Sequence, residues 1–143
     1  MGNRMMTGRL AEHLLAPYRK PWILIDRVLE CRPDRIMCLK HVSSSDTYLI
    51  GHFPARSVYP GILLLEGIRQ AGRLLLAANG LSPRGAGECM DVRFLRPVYP
   101  GQTILYSVAL IEVRDGTAWL SGRGTIDDST VIRAKLGLAL SGE

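Results

Sequence analysis

The sequence predicts an α+β fold: an antiparallel sheet wrapped around one long central helix. Two observations predict it. The segment from Pro60 to Asn79 is apolar around most of a helical circumference, and a helix of that kind has to be enclosed. Two strand-like segments precede it and four follow it, each bounded by turn residues. A sheet with the helix against one face satisfies both. At 143 residues the chain has the length of one domain, 1–143, with residues 1–7 expected to be disordered. A chain of this size buries about two-thirds of its unfolded surface, and a partner chain must cover any face left open.

In chain order, residues 8–15 form an amphipathic helix candidate ended by Pro17. Trp22 to Glu30 is rich in Ile, Leu and Val and reads as a strand. Pro33 and Asp34 mark a turn, and Arg35 to Val42 reads as the returning strand. A polar loop, Ser43 to Asp46, leads to Tyr48 to Pro54. The long helix then opens on Pro60 and closes at Asn79-Gly80, both good boundary residues. Its polar exceptions, Glu66, Arg69, Gln70 and Arg73, are spaced to lie on one narrow stripe. After a Gly/Pro-rich loop come strands over 88–96, 103–114, 117–127 and 130–140. Asp115-Gly116 is a strong hairpin signal between the second and third of these.

Composition removes several function classes. The chain is 47% hydrophobic and 22% charged, which is ordinary for a globular protein and excludes a disordered tract. The formal net charge is +5, but the bases are scattered and aromatics are few, so nucleic-acid binding on stacked rings is not expected. The charge suits a solvated surface, or attraction to an acidic partner protein. Cys31, Cys38 and Cys89 are odd in number and lack a CxxC pair, so neither a disulfide framework nor a zinc site is expected. They fit reduced thiols in a cytoplasmic protein. The first residues hold no long apolar run, and no segment reaches ~20 continuous apolar residues, so neither a signal peptide nor a membrane span is expected.

The candidate chemistry lies in His52 and Glu66, fourteen residues apart with the helix start between them. A neutral imidazole takes a proton near neutral pH. His52 alone also fits a core histidine bonded to a backbone carbonyl; its place just before a helix with a carboxylate favours the chemical reading. Glu66 stands where the helical period asks for an apolar residue. A buried carboxyl kept protonated could serve as a general acid. The alternative is a structural ion pair with Arg69 or Arg73, which would hold it ionised. Pro60-Gly61 offers unpaired amides and the positive end of a helix dipole, able to stabilise an enolate-like oxygen on a thioester. The same features also occur at ordinary helix starts. His41 and His13 read as structural or surface residues, and Asp26-Arg27 as a polar pair at a strand end. No nucleophile elbow, P-loop or GxGxxG is present.

These residues resemble the FabZ-type 3-hydroxyacyl-(acyl carrier protein) dehydratases over about residues 14–140. Pro21 to Val28 (PWILIDRV) is similar to that family's PFLLVDRV segment, and Gly51 to Pro54 (GHFP) is its signature. Pro60 to Glu66 (PGILLLE) matches its PGVLxxE, with Gln70 at the following glutamine. Phe94 to Gly101 (FLRPVYPG) matches FxRPVxPGD, with Gln102 in place of Asp. The resemblance implies a hotdog fold and a homodimer with both active sites at the interface, histidine from one subunit and glutamate from the other. Trimers of dimers, or a heterodimer, are further assemblies it allows. It makes His52 the base that takes the C2 proton, Glu66 the group that protonates or orients the departing 3-hydroxyl, and the Gly61 amide the donor to the thioester carbonyl. Phe53, Tyr59 and Gln70 would help bind substrate. The resemblance implies acyl carrier protein as the partner, its phosphopantetheine arm carrying the substrate, and implies no metal or redox cofactor.

Several positions depart from the family pattern. Its HRYP becomes Tyr18 to Pro21, Ala55 and Ser57 replace Gly and Pro after the signature, and Tyr59 replaces a usual Met. Arg69 and Arg73 occupy positions that are normally small or apolar. They suggest a specialised dehydratase from a polyketide or polyene pathway, with a divergent pocket. Two other readings compete: a non-catalytic hotdog subunit that binds an acyl carrier or completes a heterodimer, and a hotdog acyl thioesterase. Isomerisation of the enoyl product is a side activity that Glu66 argues against, since the isomerising branch usually carries Asp there.

Overall fold

A computed structural model of the chain describes residues 8–9, 23–43, 58–84 and 89–142. The described elements are β1 (Gly8–Arg9), β2 (Arg27–Arg32), β3 (Arg35–His41), α1 (Gly61–Ala78), β4 (Cys89–Phe94), β5 (Thr103–Arg114), β6 (Thr117–Ile126) and β7 (Ser129–Ala139). The strands form one antiparallel sheet in the order β1-β2-β3-β5-β6-β7-β4.

Side-chain alternation decides which face of the sheet meets the helix. On β5, β6 and β7 the inward positions Ile104, Tyr106, Val108, Leu120, Ile132 and Leu136 are almost wholly buried, while Ser107, Ser121, Arg133 and Lys135 alternate onto the other face. The β5–β6 and β6–β7 hairpins close on two-residue turns with positive φ at both positions: Asp115 and Gly116 in one, Asp127 and Asp128 in the other. Such turns match the right-handed twist of the flanking strands, and Asp tolerates the left-handed region through local hydrogen bonding.

Helix α1 packs against β2, β3, β5, β6 and β7. Leu74, Leu75 and Leu76 have no exposed surface, and each contributes about 2 kcal/mol of burial. A Cβ at Gly67 would overlap the Tyr106 ring, so glycine lets the helix lie directly on β5. Between its two end residues, α1 is incompletely covered at Ile62, Glu66, Arg69, Arg73 and Ala77, spaced by four, three, four and four. They form one stripe along the helix. Gln70, placed on the polar stripe by sequence spacing, is instead fully buried.

Two expectations need correction. The helix candidate over 8–15 begins in strand β1, where Gly8 pairs with Val28 and Arg9 with Arg27. An amphipathic period cannot register pairing to a distant strand edge; residues 10–15 lie outside the described residues. The strand expected from Trp22 begins only at Arg27. Ile23, Leu24 and Ile25 are all buried, so the segment does not alternate. It lies against the helix instead, with the Leu24 amide donating to Gln70 Oε1 at 2.7 Å. The remaining elements fall within about two residues of their expected bounds, the usual uncertainty at element ends. His52 and Phe53 lie outside the described residues, as does His13.

Candidate active site

The start of α1 is held by backbone and packing. Pro60, at φ −58° and ψ 135°, is the N-cap, and no side-chain hydrogen bond caps it. Its carbonyl accepts from Leu63 at 3.0 Å and Leu64 at 3.4 Å. The amides of Gly61 and Ile62 precede the first helical acceptor and point out of the helix end. The first turn carries no acidic residue, so no carboxylate of its own offsets the positive end of the dipole.

Two neighbours fix this helix end. Tyr59 is 1% exposed and its amide donates to the Val98 carbonyl at 2.7 Å, tying the chain entering α1 to the segment after β4. Gly61 faces the Phe94 ring: a Cβ there would lie 3.1 Å from the ring edge. The glycine therefore serves close approach as well as amide exposure. Phe94 is a contact that sequence reasoning did not assign to the site. Its signal was its place in the segment Phe94–Gly101, distant from Gly61 in sequence.

Glu66 lies on the half-covered stripe. Its Oε1 accepts from Arg69 Nη1 at 2.6 Å, and both side chains are mostly shielded, at 21% and 16% exposed. The Arg69 partner anticipated as a structural alternative is therefore present. It engages one oxygen; Oε2 accepts no hydrogen bond from any described residue. Arg73 lies one turn further along the same stripe. Gln70 turns inward, where its carbonyl oxygen serves the Leu24 amide.

The other polar candidates are structural. Asp26 Oδ2 accepts from the His41 amide at 2.7 Å, and Asp26 Oδ1 lies 3.8 Å from Lys40 Nζ. His41 Nδ1 lies 3.0 Å from Thr103 Oγ1. Together they stitch the entry to β2 onto β3 and β5. Cys31 and Cys38 are reduced and buried. Burial pushes the Cys31 thiol up; burial and the neighbouring Cys31 push Cys38 up to about 12. Among the described residues no group of His, Cys, Asp and Glu could hold a metal ion.

The model of the FabA-like domain matches residues 16–135. The chain is also 34% identical over 135 residues to a 3-hydroxyacyl-[acyl-carrier-protein] dehydratase FabZ from Desulfotalea psychrophila, covering 89% of each. It is 38% identical over 127 residues to the FabZ dehydratase of Thermotoga petrophila, covering 88% of this chain and 92% of that one. The chain belongs to the FabA-like family, as a FabZ-type member. Among solved structures the FabZ-type chain is similar to the dehydratase heterocomplex ApeI:P from Xenorhabdus doucetiae, with TM-score 0.73 at 15% identity, over 92% of this chain and 91% of that one. It is also similar to a hypothetical thioesterase with coenzyme A from Streptococcus pneumoniae, with TM-score 0.68 at 13% identity, over 82% and 86%. At such identities the likeness concerns the fold alone, and that fold is the hotdog: one helix enclosed by an antiparallel sheet.

Proposed function

We propose that this chain is a hydro-lyase that dehydrates a (3R)-3-hydroxyacyl thioester on acyl carrier protein to the trans-2-enoyl thioester. The observation that carries the reading is Glu66 on the open stripe of α1, one oxygen held by Arg69 and the other available, in a chain of FabZ-type sequence.

In the proposed reaction, His52 removes the proton from C2. The thioester oxygen gains electron density as that proton leaves, and the Gly61 amide at the helix start stabilises it. The C3–O bond breaks as a proton reaches the departing hydroxyl, given by Glu66 or, with Glu66 orienting the hydroxyl, returned by the protonated His52, so that it leaves as water. Elimination next to a thioester carbonyl needs no redox cofactor or metal. Phe53 and Tyr59 shape the acyl pocket. Gln70, fully buried on α1, would serve substrate binding indirectly, by holding the Leu24 segment against the helix.

The working unit is proposed as a homodimer in the cytoplasm, His52 of one subunit acting with Glu66 of the other. Edge strand β4 supports this: it pairs with β7 on one side and with no described strand on the other. At its end Phe94 and Leu95 are exposed, as is Ile62 beside the helix start. Apolar surface of that extent beside an open edge calls for a cover. The whole chain, 1–143, is proposed as one domain of that dimer. Arg69 and Arg73, on the same stripe of α1 as Glu66, favour a specialised acyl substrate of polyketide or polyene type.

The test is to offer a 3-hydroxyacyl thioester on a carrier protein and follow the carrier by intact mass. Loss of one water supports the proposal. Release of free acid would favour a thioesterase, and no turnover by folded protein would favour a non-catalytic subunit.

A further inference from the structure

The outer face of the sheet, away from the helix, carries a groove of about 480 Å3 lined by five cationic side chains, Arg35, Arg93, Arg123, Arg133 and Lys135, and one carboxylate, Asp91. Its arrangement follows from strand register. Arg93 on β4 pairs directly with Arg133 on β7, and Arg133 pairs directly with Arg123 on β6. Three guanidinium groups therefore stand abreast on neighbouring strands. Two residues along, Lys135 pairs with Asp91 on one side and Ser121 on the other. Ser107 on β5 ends the arginine row opposite Arg123.

Like charges directly opposite one another disfavour a sheet, modestly so when exposed to salt. This row has no offsetting partner: Arg93, Arg123 and Arg133 form no ion pair with any described residue. Arg35, at the far side, shares Glu30 at 3.6 Å. A surface serving only solubility would intersperse acids; this one gathers its cations in a concavity of ligand size.

We propose that this groove binds a small molecule carrying two or more adjacent phosphoryl groups. Guanidinium forks match phosphate oxygens two at a time, which favours phosphate over halide or a lone carboxylate. Neighbouring strands lie about 4.8 Å apart, so the row from Arg93 to Arg123 spans about 10 Å. A single phosphate bridges one arginine pair. A diphosphate or triphosphate bridges both, and the Ser107 and Ser121 hydroxyls can serve its remaining oxygens. The groove lies on the opposite face of the sheet from α1 and Glu66, so this site is separate from the proposed catalytic centre.

Calorimetric titration at fixed ionic strength tests it, with inorganic tripolyphosphate, a nucleoside diphosphate and orthophosphate as probes. Tripolyphosphate and the nucleoside diphosphate are expected to bind with a defined stoichiometry, and orthophosphate at least about tenfold more weakly. Tighter binding of the nucleotide would add a nucleoside contact; equal binding would place recognition in the phosphates alone. Arg133→Gln, at the centre of the row, should weaken both by about tenfold or more. It should also raise Tm slightly in low-salt buffer without probe, which separates loss of binding from loss of folding. Binding unchanged in both Arg133→Gln and Arg123→Gln would overturn the proposal. So would orthophosphate equal to tripolyphosphate, which marks a diffuse counter-ion cloud. Binding of acidic carrier protein to this face with no response to any phosphate probe would assign it to protein docking instead.

Discussion

Glu66 is constrained on one side only. Arg69 holds Oε1 at 2.6 Å, and Oε2 accepts no hydrogen bond from any described residue. On this account Glu66→Gln lowers kcat by about 100- to 10,000-fold, the range for loss of a positioned proton-transfer group. Arg69→Met removes only the restraint and lowers kcat less than about tenfold; steady-state dehydration rates of the two variants decide the order. Cys38 gives a separate prediction. Its folded thiol titrates near 12, against 9.0 for the free group. The folded state thus keeps a proton that the unfolded state loses above pH 9. Its contribution to stability is fully present below that pH and is lost as pH rises toward 12. Between pH 9 and pH 10 the loss is about 1 kcal/mol, read by urea unfolding as a difference from Cys38→Ala. Glu66 and Gly61 were legible from local pattern, because a carboxylate in an apolar run and a Pro-Gly helix start stand out without a structure. The partners of Gln70 and Gly61 were not: Leu24 and Phe94 reach them only through tertiary packing.

The helix and its tightest contacts govern the elements. Gly67→Ala gains helix propensity of roughly 1 kcal/mol but drives a methyl into the Tyr106 ring, costing about 1–3 kcal/mol or more. Net destabilisation is expected by thermal unfolding; net stabilisation would mean that β5 can move away. Gln70→Leu leaves the buried Leu24 amide without its side-chain acceptor and should cost about 1–3 kcal/mol. Element types were readable where the period was strong: α1 and β5, β6 and β7 follow from apolar spacing and turn residues. The failures share one cause. Residues 23–25 are as apolar as a buried strand, but their neighbour is the helix. Gly8–Arg9 takes its conformation from the β2 edge, which no local pattern encodes.

At the scale of the whole molecule, the open features cluster: the edge of β4 that no described strand pairs, exposed Phe94 and Leu95, Ile62 beside Gly61, and the half-covered stripe with Glu66. A second copy joined along β4 would continue the sheet and cover these surfaces. Phe94→Lys should therefore shift the protein from dimer to monomer in light scattering and remove dehydratase activity with it. Retained dimer mass would place the interface elsewhere. No described helix is long and apolar enough to cross a membrane. The central claim is that water is eliminated by His52 of one subunit and Glu66 of the other. The direct measurement mixes inactive His52→Ala with inactive Glu66→Gln, allows subunits to exchange, and assays dehydration. Random exchange makes half of the dimers mixed, each with one intact site, so activity should return to roughly a quarter of the unaltered enzyme. Mixed dimers that form and stay inactive would contradict the account.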